Sequence, residues 1–147
     1  MVKFDKSKLK EEDHQKMFVK YLAMLKAKGK VIEYFAPMGE NKQSFNNRLV
    51  AQKIQKKAEA MGKLKGVSDL CVILKNRVLF IEMKKDPKVL QNGKLSTAGI
   101  KVSEYQKQFL NTIQKSDVCT GVVCYGFDEA KSYIDSQINI DETLEKC

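Results

Sequence analysis

Two apolar runs joined by three residues constrain this chain more than any other feature. The runs DLCVILK and VLFIEMK, about residues 69–75 and 77–84, flank Lys75-Asn76-Arg77. A connection this short joins adjacent antiparallel strands. Side chains alternate along a strand, so Glu82 and Lys84 share one face with Phe80 and Val78. A turn centred near Asn76 brings Asp69 close to Met83 and Lys84. Asp69, Glu82 and Lys84 are thus expected to converge at one end of the hairpin.

Glu82 lies inside an otherwise apolar strand, where a carboxylate is expensive to bury. A second carboxylate beside it adds repulsion, and one of the two then tends to hold its proton. A divalent cation relieves both costs. Two hard oxygen donors with retained waters suit Mg²⁺, which polarises phosphoryl oxygens and lowers the pKa of water. Lys84 would hold a water or stabilise charge growing on a phosphate. The plainer alternative is a structural salt bridge from Glu82 to Lys84 or Lys85. An isolated Glu-x-Lys favours that alternative, and the preceding Gly66-x-x-Asp69 weighs against it.

The rest of the chain supplies elements to pack around the hairpin. Residues 9–28 read as a helix, with Met17, Phe18, Tyr21, Leu22 and Leu25 at helical spacing and Gly29 as its stop. Residues 31–36 (VIEYFA) read as a strand, 38–47 as a polar loop, and 48–61 as a basic helix. After the hairpin, 86–101 reads as a mobile loop, 103–115 as a helix capped by Ser103, and 118–125 as a buried strand. A last helix begins near Asp128, and the acidic tail is expected to fray. The order predicts one mixed α/β domain with helices flanking a small central sheet.

The chain has 147 residues and a net charge of +9, an excess that favours a polyanionic partner. Arg48, Lys53, Lys56 and Lys57 lie on the expected basic helix, and Lys63 and Lys65 lead from it to Asp69. Lys85, Lys88 and Lys94 follow the hairpin. Positive charge on both sides of the acid pair suits a phosphate backbone, although each lysine singly reads as a solvated residue. No apolar run is long enough for a membrane span, and the charged N-terminus is no signal peptide, so an intracellular, cytoplasmic protein is the expectation. Cys71, Cys119, Cys124 and Cys147 form no Cys-x-x-Cys pair and read as reduced thiols. The single histidine, His14, reads as a partly buried helix residue.

GVSDL followed by FIEMK resembles the PD-(D/E)xK nuclease superfamily, and most of all its VRR-NUC branch, which includes short stand-alone phage and bacterial proteins. The resemblance spans roughly residues 9–135. Its matching positions are Glu11 with Gln15, Gly66 to Asp69, Glu82 with Lys84, and Ser103 to Gln106; YGFDEA resembles the closing strand-to-helix turn. Ser68 departs from the family's more usual proline. The resemblance implies a restriction-endonuclease-like core, with Mg²⁺ (or Mn²⁺) held by Glu11, Asp69, Glu82 and the Met83 carbonyl. Lys84 would assist the attacking water and Gln106 would position water or substrate, with Gln108 its neighbouring competitor. Glu12 competes with Glu11 for the helix-one role. Helix phase favours Glu11, which falls in line with His14, Phe18 and Leu22.

The expected function is therefore Mg²⁺-dependent endonucleolytic hydrolysis of DNA. The resemblance points to branched substrates such as a Holliday junction, hence to repair or recombination or to a phage nuclease. A homodimer would set two sites against two strands. The alternatives are a non-catalytic nucleic-acid-binding module on the same scaffold, and a restriction-type nuclease, for which the chain has little room.

Overall fold

The computed structural model describes residues 9–37 and 47–146. The hairpin forms as its sequence requires. Strands β2 (Leu70–Ile73) and β3 (Val78–Lys84) pair antiparallel, with Leu70 opposite Ile81 and Ile73 opposite Val78. Leu74 N–H donates to Arg77 O at 2.8 Å, leaving Lys75 and Asn76 as the turn. Strand β1 (Glu33–Phe35) adds antiparallel to β2, and β6 (Cys119–Tyr125) lies parallel to β3, giving the order β1-β2-β3-β6. The parallel step is made through helix α3 (Glu104–Ile113), as parallel neighbours require a crossover.

Alternation divides the sheet into two unlike faces. Leu70, Val72, Leu79, Ile81, Met83 and Cys124 point to one side. There they meet Phe18 and Leu22 of α1 (Glu11–Ala27) and Ala130, Ile134 and Ile138 of α4 (Phe127–Glu145). This is the main core, and each large side chain buried in it contributes roughly 1.5–3 kcal/mol. The opposite face carries Phe80, Glu82 and Lys84, with Gly121 beside Phe80 in register. Helix α3 packs here: Phe109 meets Phe80 edge-to-face at 5.2 Å. A Cβ on Gly121 would stand 2.6 Å from Leu110 Cδ2 and 2.7 Å from Ile113 Cδ1, so the missing side chain is what lets α3 approach. The result is mixed α/β, a small mixed sheet with four helices among the described residues.

Helix α1 starts at Glu11 and ends in a Schellman-type turn. Gly29 has φ +74°, Gly29 N–H donates to Lys26 O, and Lys30 N–H donates to Leu25 O. The basic helix is α2 (Arg48–Ala60), N-capped by Asn47, whose side chain accepts from Leu49 N–H. The remainder of the expected 38–47 loop, and Cys147, lie outside the described residues. No helix among the described residues is long and apolar enough to cross a membrane.

Two expectations are corrected. The stretch 86–101 is not uniformly loop, because Lys88–Val89 (β4) and Leu95–Ser96 (β5) pair as a small antiparallel ribbon. The acidic tail is not frayed: α4 continues to Glu145 and buries Gln137, Ile138 and Asp141. The physical reason lies at the hairpin turn. Asn76 N–H donates to Asp141 Oδ1 at 3.0 Å, and Arg77 Nη1 donates to Gln137 Oε1 at 2.7 Å. The polar end of α4 therefore clamps the β2–β3 turn. Replacing Asp141 by Ala should strip the Asn76 N–H of its charged acceptor and cost about 1.5–3 kcal/mol. Chemical denaturation measures this directly; an unchanged midpoint would mean that the tail does not hold the turn.

Candidate metal and phosphate site

The site is assembled where β2 begins and β3 ends. Asp69 immediately precedes β2, and its Oδ2 accepts the Met83 N–H at 2.8 Å. That bond fixes the carboxylate against the neighbouring strand. Glu82, only 2% exposed, projects to the α3 side of the sheet with Lys84, itself 7% exposed. Lys84 Nζ stands 3.4 Å from Glu82 Oε1 and 3.5 Å from Gln106 Oε1. Gln106 Nε2 donates to Glu82 Oε1 at 2.6 Å. Asp69 lies close enough to act on the Glu82 carboxyl, so the three residues expected to converge form one cluster with Gln106.

Gln106 is held from two directions. Ser103 Oγ accepts Gln106 N–H at 3.2 Å, and Gln106 Oε1 accepts Ser103 N–H at 2.9 Å, a reciprocal capping box. The same side chain thus caps α3 and orients Glu82, which gives Ser103-x-x-Gln106 a structural use whatever its chemistry. Gly66 makes this possible. Its φ is +78°, and a Cβ there would stand 2.3 Å from Tyr105 C and 2.6 Å from Gln106 N. Only glycine lets the chain entering β2 pass so close to the start of α3.

The ion pair with Lys84 does not satisfy Glu82. The contacts from Lys84 and Gln106 both reach Oε1, whereas buried Oε2 receives no hydrogen-bond donor among the described residues. Burial raises the Glu82 carboxyl to about 8; the Asp69 charge and a hydrogen bond shared with the Asp69 side chain add to this, and Lys84 opposes it. A buried oxygen facing a second carboxylate accepts either a shared proton or a cation. Asp69 and Glu82 with retained waters fit a hard divalent ion. At Met83 the main-chain group shown meeting the site is the N–H, bound to Asp69.

Helix α1 contributes less than the resemblance implies. His14, Phe18 and Leu22 are buried, as the phase argument for Glu11 requires. Glu12 is turned to solvent and paired with Lys16 at 2.6 Å, while Glu11 is half-buried. Yet among the described residues no group of three or more His, Cys, Asp or Glu is arranged to hold a metal ion. Glu11 is therefore not gathered with Asp69 and Glu82. The buried stripe of α1 packs on the opposite face of the sheet.

Of the basic residues, Arg48, Lys53, Lys56 and Lys57 are exposed along α2, which buries no side chain, and Lys63 and Lys85 are also exposed. Lys65 is engaged locally, 3.8 Å from Glu59 Oε1 and 5.2 Å above the Tyr105 ring. Sequence reasoning missed the use made of His14. Its Nδ1 accepts the Phe127 N–H at 3.0 Å, and its Nε2 faces Asp86 Oδ2 at 3.5 Å. Asp86 in turn lies tight against Gly126, where its carboxylate occupies the space of a Cβ. The histidine therefore ties the start of α1 to the exit of β3 and the start of α4. A lone histidine on an amphipathic stripe carries no sequence signal for such a role.

Comparison with family models, with curated proteins and with solved structures finds no match for the chain.

A raised acid makes a signed prediction. Between pH 4.5 and about 8, Glu82 keeps its proton in the fold while the unfolded chain has released it. Metal-free stability therefore falls as pH rises across that window. Glu82→Gln removes the titration with little change of shape. Its melting temperature should exceed wild type by about 2–4 °C or more near pH 9, with the gap narrowing towards pH 5. A gap that does not depend on pH would show that Glu82 is not a raised acid.

Proposed function

We propose that this chain is a Mg²⁺-dependent DNA endonuclease with a PD-(D/E)xK-like core of the VRR-NUC type. The observation that carries the reading is the buried Oε2 of Glu82, which no donor among the described residues reaches, beside the Asp69 carboxylate and with Lys84 on the same face. A structural salt bridge explains Lys84 but gives that oxygen nothing beyond a proton shared with Asp69. Further support comes from the topology: Asp at the entry to a hairpin, Glu-x-Lys at the end of its second strand, and a parallel strand and Gln-bearing helix after it.

Asp69 and Glu82 would hold the ion, with Glu11 and the Met83 carbonyl as the further donors the resemblance implies. A bound Mg²⁺, or Mn²⁺ in its place, supplies Lewis acidity towards a phosphoryl oxygen and lowers the pKa of water. Lys84, held between Glu82 and Gln106, would carry a positive charge against the phosphate as negative charge grows there. Gln106 would keep Glu82 in one rotamer and has an amide suited to orienting water. The exposed cations of α2, with the net charge of +9, would supply sequence-independent grip on the phosphate backbone. Branched DNA, such as a four-way junction, is the substrate the resemblance favours.

The test is cleavage of linear duplex, flap and four-way-junction DNA with Mg²⁺ or Mn²⁺. Wild type should cut at least one of them. Glu82→Gln and Lys84→Ala should each lower the rate by about 10²-fold or more, as expected when a charge-stabilising group is lost. Full activity in either variant, or wild-type inactivity on every substrate, would overturn the reading. Salt-sensitive binding without metal-dependent cleavage would select the non-catalytic alternative.

A further inference from the structure

The ribbon after the site has a composition that the proposed chemistry does not require. It leaves β3 only three residues after Lys84, and all of residues 88–95 are exposed. Val89 and Leu95 are cross-strand partners, so their side chains lie on the same face of the ribbon. They are 72% and 68% exposed. An isolated two-stranded ribbon is marginally stable in water, and an unpacked aliphatic pair does little to support it. The sequence from 87 to 103 carries Lys88, Lys94 and Lys101 and no acidic residue.

The ribbon nonetheless has a defined shape and root. Leu90 N–H donates to Lys94 O at 2.8 Å, Gly93 N–H donates to Leu90 O at 2.9 Å, and Gly93 adopts φ +77°. Lys94 N–H is held by Asn92 Oδ1 at 3.0 Å. At the base, Gly126 N–H donates to Lys84 O, and Asp86 is wedged between Gly126 and His14. A ribbon with a defined turn, an exposed aliphatic pair and two lysines therefore stands three residues beyond the strand that bears Glu82 and Lys84.

We propose that the β4–β5 ribbon is a DNA-unstacking wedge: Val89 and Leu95 insert at a base step while Lys88 and Lys94 grip the flanking phosphates. This rests on the nuclease reading for its substrate. Charge selects the occupant, because a stretch with lysines and no acid complements a polyanion, and two aliphatic side chains are too small an area for a stable protein interface. Aliphatic wedges open base steps at the cost of unstacking and gain a deformed duplex that presents its backbone. The substrate class follows. Steps that unstack readily, pyrimidine–purine steps and mismatches, should be cut in preference to stiff tracts.

The experiment uses the full chain and duplexes carrying 2-aminopurine at successive positions around the cut, with Ca²⁺ for binding and Mg²⁺ for cleavage. The variant is Val89→Thr with Leu95→Thr, both exposed and both replaced by a residue suited to strands. Wild type should brighten 2-aminopurine at one step, and the variant should lose most of that rise. On matched duplex the variant should cut about tenfold more slowly, with less than about twofold change where a mismatch has already opened the step. An equal rise in both proteins, no rise in wild type, or equal slowing on matched and mismatched DNA would overturn the wedge. So would unchanged DNA behaviour with loss of self-association in sedimentation or of binding to anionic vesicles. The two readings fail separately. Ribbon-dependent brightening without cleavage removes the nuclease and keeps the wedge; cleavage without ribbon-dependent brightening does the reverse.

Discussion

A carboxylate buried in an apolar strand is the constraint on which the candidate site depends. Glu82 sits between Ile81 and Met83, both fully buried, and is itself almost inaccessible. Its ionised form would be intolerable there without a counter-charge. The surroundings supply part of one, since Lys84 approaches Oε1 and Gln106 donates to the same oxygen, but Asp69 adds a second negative group that works against it. Asp69 and Glu82 carry two negative charges when ionised, against one from Lys84, and no donor among the described residues reaches Oε2. A proton or a divalent cation completes the arrangement. The raised Glu82 carboxyl describes the protonated form, and the proposed nuclease describes the metal form.

The fold separates stability from this chemistry by strand alternation. One face of the sheet carries the aliphatic core under α1 and α4. The other carries Glu82 and Lys84 under α3, which approaches closely because Gly66 and Gly121 lack side chains. Helix α4 contributes from a distance by clamping the hairpin turn through Asp141 and Gln137. Holding both ends of the hairpin fixes its register, and a slip of one residue would exchange Glu82 for Met83 at the site.

Much of this was legible in the sequence because it follows from periodicity. The short Lys75-Asn76 connection dictated the hairpin, and alternation placed Glu82 with Lys84. Ser103 with Gln106 announced a helix start that proved to be a full capping box. Two of the misses share a cause, in that polar residues acquire tertiary partners that no local pattern encodes. Asp141 looked like a solvated tail residue until the turn it caps was in place. His14 looked like a filler of the helix stripe until Phe127 and Asp86 stood beside it. Glu11 had the right phase, but phase gives a direction around α1 and not the distance to Asp69 and Glu82. The ribbon at 88–96 was hidden because its two strands are too short to display a period.

The central claim is that Asp69 and Glu82 form a divalent-cation site. Calorimetric titration of the protein with Mn²⁺ at neutral pH, repeated in buffers of different ionisation enthalpy, tests it without reference to any substrate. The account predicts saturable binding that releases about one proton per ion, because the cation displaces the proton held by Glu82. Both the binding and the release should be lost in Glu82→Gln. Absence of binding in wild type, or binding that survives the substitution with no proton released, would contradict it.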